Sequence, residues 1–171
     1  MEKEISIIAA WAKNSRIIGY KKGIPWHLPE DMEQYREITR GGTMIMGRET
    51  FFSIPAKFRP LPGRENIVVG TQLQYEDLQE KDSSIIIART IEEALKRAKT
   101  KKIFFNGGER IYEEGLRYAT RIYGTIVEYE GPGDRFFPEI TIEWHNVNKV
   151  TTHDMQISRT GTRFAFAIFE K

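Results

Sequence analysis

Asp31 is the residue best placed to do chemistry. It follows Ile24-Pro25-Trp26-His27-Leu28-Pro29, and Pro29 suits the first turn of a helix. The stretch 29–39 therefore reads as helical, with Asp31, Tyr35 and Ile38 at i, i+4 and i+7 and Met32 beside them. That stripe is expected to face inward. A carboxyl group set into it loses hydration and its pKa rises, each unit costing about 1.4 kcal/mol. Such a group persists where a cationic or hydrogen-bonding ligand meets it. The competing reading is a solvated carboxylate near a helix start, where the macrodipole favours it. Helix spacing alone leaves both open.

Two further segments could hold phosphate. Met46-Gly47-Arg48-Glu49-Thr50 and Asn106-Gly107-Gly108-Glu109-Arg110 both read as strand-to-helix turns that expose backbone N–H groups. Neither has the G-x-G-x-x-G spacing, and glycine at a turn often serves backbone geometry alone. Taken together, with Arg48, Arg89 and Arg110 near strand ends, they predict an elongated phosphate-bearing cofactor across the sheet. Other chemistries find little support. The chain has no cysteine, hence no disulfide, thiolate metal site or cysteine nucleophile. Its three histidines, His27, His145 and His153, lack ligand spacing, so no metal site is expected, and no glycine-flanked serine forms a nucleophile elbow.

The elements that must position these residues follow from hydrophobic patterning. The run 5–11 is almost continuously apolar, as in a strand covered on both faces, and 43–46, 67–69, 85–87 and 103–105 repeat the pattern, each ahead of a helical stretch. Thr90-Ile91-Glu92-Glu93 matches a capping box, with Ile91, Ala94, Leu95 and Ala98 at helical spacing behind it. After Gly108, Ile111, Gly115 and Ala119 share a helical face flanked by Tyr112 and Leu116. The tail differs. Stretches 121–129, 144–152 and 163–169 read as strands without helices between them, which predicts antiparallel additions to a mainly parallel sheet.

Bulk properties bound the answer. At 171 residues, 40% hydrophobic and 12% aromatic, the chain suits one domain over 1–171. With 26 basic and 24 acidic residues the formal charge is +2, which argues for neither nucleic acid nor an anionic membrane. The apolar run at 5–12 is too short to span a bilayer, and Met1-Glu2-Lys3-Glu4 lacks a secretory n-region. A cytoplasmic monomer is the expectation.

These strings in this order resemble dihydrofolate reductase over nearly the full length. The resemblance rests on Ile8-Ala9-Ala10, Ile17-Ile18-Gly19, Pro25-Trp26-His27-Leu28-Pro29-Glu30-Asp31, Ile45-Met46-Gly47-Arg48-Glu49-Thr50, Pro60-Leu61-Pro62-Gly63-Arg64-Glu65-Asn66, Gly107-Gly108 with Tyr112, and Gly133-Asp134 before Phe137-Pro138. It implies a three-layer α/β fold: a mainly parallel central sheet, antiparallel C-terminal strands and flanking helices. It also implies reduction of 7,8-dihydrofolate to tetrahydrofolate with NADPH, in one-carbon metabolism. On that resemblance Asp31 would anchor the pterin and promote protonation at N5, Thr125 would hydrogen-bond Asp31 and the pterin, and Trp26 would hold an ordered water. Ile8, Met32, Tyr35, Ile54 and Leu61 would form the apolar walls, and Arg64, with Arg59 nearby, would clamp the glutamate α-carboxylate.

On the cofactor side, Ala10, Ile17, Ile18, Gly19 and Gly23 would border the nicotinamide, the stretch 17–23 acting as a lid. Glu49 and Thr50 would lie under the pyrophosphate, and Gly107, Gly108, Glu109, Arg110, Ile111 and Tyr112 would form the second phosphate turn. Arg48, Gly70, Thr71 and Arg89 would surround the 2′-phosphate. The chain departs from the family at Asn106, where an apolar residue is common, at the lengthened loop 55–58, at Arg135 and at Gly70. Two rival readings remain: a pyrimidine reductase acting on a ribosyl-phosphate substrate, and a non-catalytic nucleotide- or pterin-binding module.

Overall fold

The computed structural model describes residues 2–72, 74–78, 82 and 84–171. In chain order its elements are β1 (Glu4–Ala12), β2 (Ile17–Gly19), α1 (Pro29–Thr39), β3 (Thr43–Gly47), α2 (Arg48–Ser53), β4 (Glu65–Val69), β5 (Ile86–Ala88), α3 (Ile91–Arg97), β6 (Lys102–Phe105), α4 (Glu109–Gly115), β7 (Arg121–Val127), β8 (Arg135–Phe136), β9 (His145–Asn146), β10 (Gln156–Ile157) and β11 (Arg163–Glu170). The main sheet runs β10-β11-β7-β1-β6-β3-β4-β5, with β9 also on β11, while β2 and β8 form a separate two-stranded ribbon. Among the described residues no helix is long and apolar enough to cross a membrane.

The continuous apolar character of β1 is explained by its place. It pairs in parallel with β6 on one side and β7 on the other, and Ile7, Ile8 and Ala9 are all buried, so both faces are covered. Alternation sorts the faces. Ile7, Ile45, Ile103 and Phe105 pack with Ile91 and Ala94 of α3 and Ile111 and Tyr112 of α4. Ile8, Met44, Met46 and Phe104 pack on the opposite side with Phe51 of α2, joined by Tyr35 and Ile38 of α1. This is the expected three-layer arrangement. Close packing of α4 needs Gly115, where a Cβ would stand 2.7 Å from the ring of Phe105.

Helix α1 spans the expected residues, with Pro29 in its first turn and Met32 N–H donating to Leu28 O at 3.1 Å. Helix α3 forms half of the predicted capping box: Thr90 Oγ1 accepts from Glu93 N–H, but the Glu93 carboxylate reaches one residue further back and accepts from Arg89 N–H.

The tail corrects two expectations. Strand β7 is parallel to β1, because α4 returns the chain to the same end of the sheet, and antiparallel pairing begins only where β11 joins β7. Of the stretch 144–152 only β9 is a strand. Beyond it the Asn148 side chain takes over the ladder, its Nδ2 donating to Phe166 O and its Oδ1 accepting from Ile168 N–H, both at 3.0 Å. Lys149 then turns the chain away at φ 53°. An amide side chain that imitates a strand carries no periodicity signal, and the two-residue strands β8, β9 and β10 are too short for one.

Candidate functional site

The turns after β3 and β6 lie side by side at the carboxyl ends of the parallel strands, where open α/β sheets bind ligands. They are tied together: Gly47 N–H donates to Gly107 O and Asn106 N–H to Ile45 O, each at 2.8 Å. Gly107 has φ 105°, and a Cβ there would stand 3.3 Å from the Tyr112 ring, so both backbone and space favour glycine. Tyr112 in turn donates from its hydroxyl to Ile8 O at 2.9 Å, fixing the start of α4 against β1.

A cavity of about 1510 Å³ opens over these turns and continues past α1. A site for one small ligand is on the order of 300–1,000 Å³, so this space suits two ligands or one long one. Asp31 lines it from α1, half-buried, and its Oδ1 accepts a 2.5 Å hydrogen bond from Thr125 Oγ1 on β7. Loss of hydration raises the Asp31 pKa above the usual aspartate range, and the Thr125 hydrogen bond offsets part of that rise. Behind Asp31 and Thr125 lies a second cavity of about 230 Å³.

At one end the cavity reaches Arg64, whose Nε donates to Pro62 O at 2.9 Å and whose Nη1 donates to Thr39 Oγ1 at 3.2 Å. The loop that carries it is stapled by the buried Asn66, which accepts from Leu61 N–H at 2.9 Å and donates to Leu61 O and Arg64 O, both at 3.0 Å. At the other end Arg48 and Arg89 line the cavity with Gly70 and Thr71. Neither guanidinium has a carboxylate within ion-pair distance among the described residues, whereas Arg110 is engaged by Glu114 at 2.8 Å. The hairpin of β2 sits over the middle, held by Asp134, which donates from its N–H to Gly19 O at 3.0 Å and accepts at Oδ2 from Lys21 N–H at 3.1 Å.

The family profile for dihydrofolate reductase matches residues 4–171. The chain belongs to the dihydrofolate reductase family. Among its relatives, a dihydrofolate reductase of Mycobacterium tuberculosis is 39% identical over 158 residues, 90% of this chain and 91% of that one. One from Buchnera aphidicola is 42% identical over 136 residues, 79% of each chain, and one from Neisseria meningitidis serogroup B is 35% identical over 169 residues, 95% of each.

Most residues singled out by that resemblance come together in the one cavity. Ile8, Asp31, Met32, Tyr35, Ile54, Leu61 and Arg64 line one half. Ala10, Ile18, Gly19 and Gly23 join Arg48, Glu49, Thr50, Gly70, Thr71 and Arg89 in the other, with 107–112 closing it. Four stand outside the lining. Thr125 reaches it only through Asp31 and faces the smaller cavity, and Ile17, at the start of the β2–β8 ribbon, is buried. Trp26 packs edge-on against Tyr129 at 5.4 Å between ring centres. Arg59 is turned back, its Nη1 donating to Phe52 O and Ile54 O while its guanidinium lies over the rings of Phe51 and Phe52. Just before it, Ala56–Phe58 form a short 3₁₀ turn.

Sequence reasoning missed Phe52 and gave Asn66 no role. Phe52 lines the cavity and carries Arg48 over its ring at 4.9 Å. Its signal was there, an arginine and an aromatic at i and i+4. Asn66 was legible as the one amide abutting the apolar run Ile67-Val68-Val69.

Proposed function

We propose that this protein reduces 7,8-dihydrofolate to 5,6,7,8-tetrahydrofolate with NADPH as the electron donor. The observation that carries the reading is a half-buried carboxylate, Asp31, in one continuous cavity that has a pre-held arginine at one end and, at the other, two arginines with no carboxylate partner among the described residues. The residues fit a 2′-phosphorylated dinucleotide. Arg48 and Arg89 have charge to give, Thr71 adds a hydroxyl, and Gly47 and Gly107 keep the backbone clear of side chains where a pyrophosphate would rest. When bound, NADPH supplies the hydride that goes to C6 of the pterin.

The chain's own residues do the rest. Ile8, Tyr35, Ile54 and Leu61 exclude water from a flat bicyclic ring, which at ~25 cal/mol per Å² contributes a few kcal/mol. Asp31, ionised, accepts hydrogen bonds from the 2-amino and N3 side of that ring, and separately its raised pKa suits it to promote protonation at N5. Thr125 holds the carboxylate in place from behind. Arg64 meets the glutamate α-carboxylate in a bidentate pair. Trp26, Ile17 and Arg59 are left supporting roles in this arrangement.

Purified protein given NADPH and dihydrofolate is expected to consume the absorbance of the reduced nicotinamide in step with dihydrofolate. Absence of turnover here, with turnover on a ribosylamino-pyrimidine phosphate, would replace this reading with the pyrimidine reductase.

A further inference from the structure

One polar pair interrupts the apolar wall where the two halves of the cavity meet. Tyr35, on the inward stripe of α1, donates from its hydroxyl to Asn106 Oδ1 at 2.9 Å, and Asn106 stands at the end of β6 just before Gly107. Both residues line the cavity. The bond joins the helix that carries Asp31 to the strand that feeds the second glycine turn, so it ties the two ligand halves to each other.

Tyr35 is held from a second direction. The guanidinium of Arg64 lies 5.9 Å from its ring centre, and the ring packs with the cluster that contains Ile8 and Leu61. Loss of hydration raises the phenol's pKa far above neutrality, so the group is always an O–H donor in search of an acceptor. Asn106 Oδ1 is the acceptor it has. A wall that served only to exclude water would be filled better by a branched aliphatic side chain, since an amide must be stripped of hydration to sit there. The amide is accounted for by what it does to Tyr35.

We propose that Asn106 is a positioning residue that acts through Tyr35, fixing that ring as the wall against which the substrate's flat heteroaromatic ring is placed beside Asp31. The inference rests on the reading of the site as a dihydrofolate-reducing one. The hydrogen bond that Asn106 makes is to the ring on the substrate side, so its removal disturbs the substrate more than the cofactor. The disturbance disappears once the phenol no longer needs an acceptor.

The test is a double-mutant cycle read by equilibrium binding, with ligand-induced fluorescence quenching on the intact protein, and by steady-state kinetics. Asn106→Val is expected to raise the Kd and KM for dihydrofolate about tenfold by leaving the phenol without its partner. The Kd for NADPH should change by less than about twofold and kcat by less than about threefold, the split expected of a residue that orients the substrate wall and not of a general packing defect. Tyr35→Phe alone is expected to raise the dihydrofolate Kd about threefold, and N106V/Y35F to stay within about twofold of Y35F, because the two losses are one loss counted twice. Additive losses in the double variant, or a dihydrofolate Kd within about twofold of the unaltered protein in N106V, overturn the pair's role. If N106V does not fold, the comparison of Y35F with the double variant decides, and a double variant weaker than Y35F by more than about fivefold overturns the proposal. Failure of the unaltered protein to bind dihydrofolate overturns the functional reading and this role with it, whereas additivity with intact binding overturns this role alone.

Discussion

Asp31 is held in the fold at odds with its own charge. Burial raises its pKa, so between the ordinary aspartate range and that raised value the folded chain binds a proton that the unfolded chain has released. Stability therefore falls as pH rises through that window, and the loss persists at neutral pH. Asp31→Asn removes it. The variant is expected to melt at a higher temperature than the unaltered protein at pH 7, with the advantage shrinking as pH is lowered through that window and gone below the ordinary aspartate range, a trend that thermal melts at a series of pH values would show. The same variant is expected to lose at least about 100-fold in turnover of dihydrofolate, in line with removal of a general acid. More stability with less activity is what a group retained for chemistry should give, and a less stable Asn variant would place Asp31 among structural carboxylates. Arg64 makes the complementary case. Its protein contacts use Nε and Nη1 and hold the side chain ready. Arg64→Leu is expected to weaken dihydrofolate binding by about 10- to 100-fold, as for loss of a charge-assisted bidentate pair, while leaving NADPH binding within about twofold. Parallel titrations of the two ligands would separate this from a folding defect, which would weaken both.

At the scale of elements, the site depends on how well short loops are held, and those loops are unevenly legible in the sequence. The parallel core strands, α1, α3 and the two glycine turns were legible because each has a strong period or a turn residue with a physical reason to be there. The sheet edge was not: β7 changes role between a parallel and an antiparallel partner without any change in pattern, and Asn148 completes the edge with a side chain. Within the site, the charged and apolar lining was legible, while Arg59 is engaged by the backbone of Phe52 and Ile54, contacts that no periodicity announces. Asn66 has a structural role that its place in the motif does not reveal. It makes three hydrogen bonds to the backbone of the 61–64 loop from a buried position. Asn66→Ala is expected to leave those backbone groups unpaired and to destabilise the fold by about 1–3 kcal/mol. Because Leu61 and Arg64 sit on that loop, the KM for dihydrofolate should rise well ahead of the KM for NADPH. Denaturant titration and steady-state kinetics of the one variant would check both, and an equal rise in the two KM values would mean that the loop is not what positions the substrate end.

For the molecule as a whole, the proposed sharing of one cavity by two ligands would deliver binding energy to both faces of the sheet. The walls come from α1, α2 and the β4 loop on one side and from the turn into α4 on the other, so a ligand seated there contacts elements that pack on opposite sides of β1. Any ligand that binds the folded chain and not the unfolded one stabilises it by mass action, by about 2.7 kcal/mol when its free concentration is about 100 times its Kd. For a chain of this size that is a rise of roughly 5–10 °C in the thermal midpoint. NADPH alone and dihydrofolate alone should each produce such a rise, and the two together a larger one. Arg64→Leu should lose the rise with dihydrofolate at a fixed ligand concentration while keeping the rise with NADPH, since only the substrate end of the cavity is altered. A thermal-shift series over the two ligands and two proteins measures all of this in a single format. If R64L lost both rises, the two ends of the cavity would not be separable, and the division of the site into a substrate half and a cofactor half would have to be abandoned.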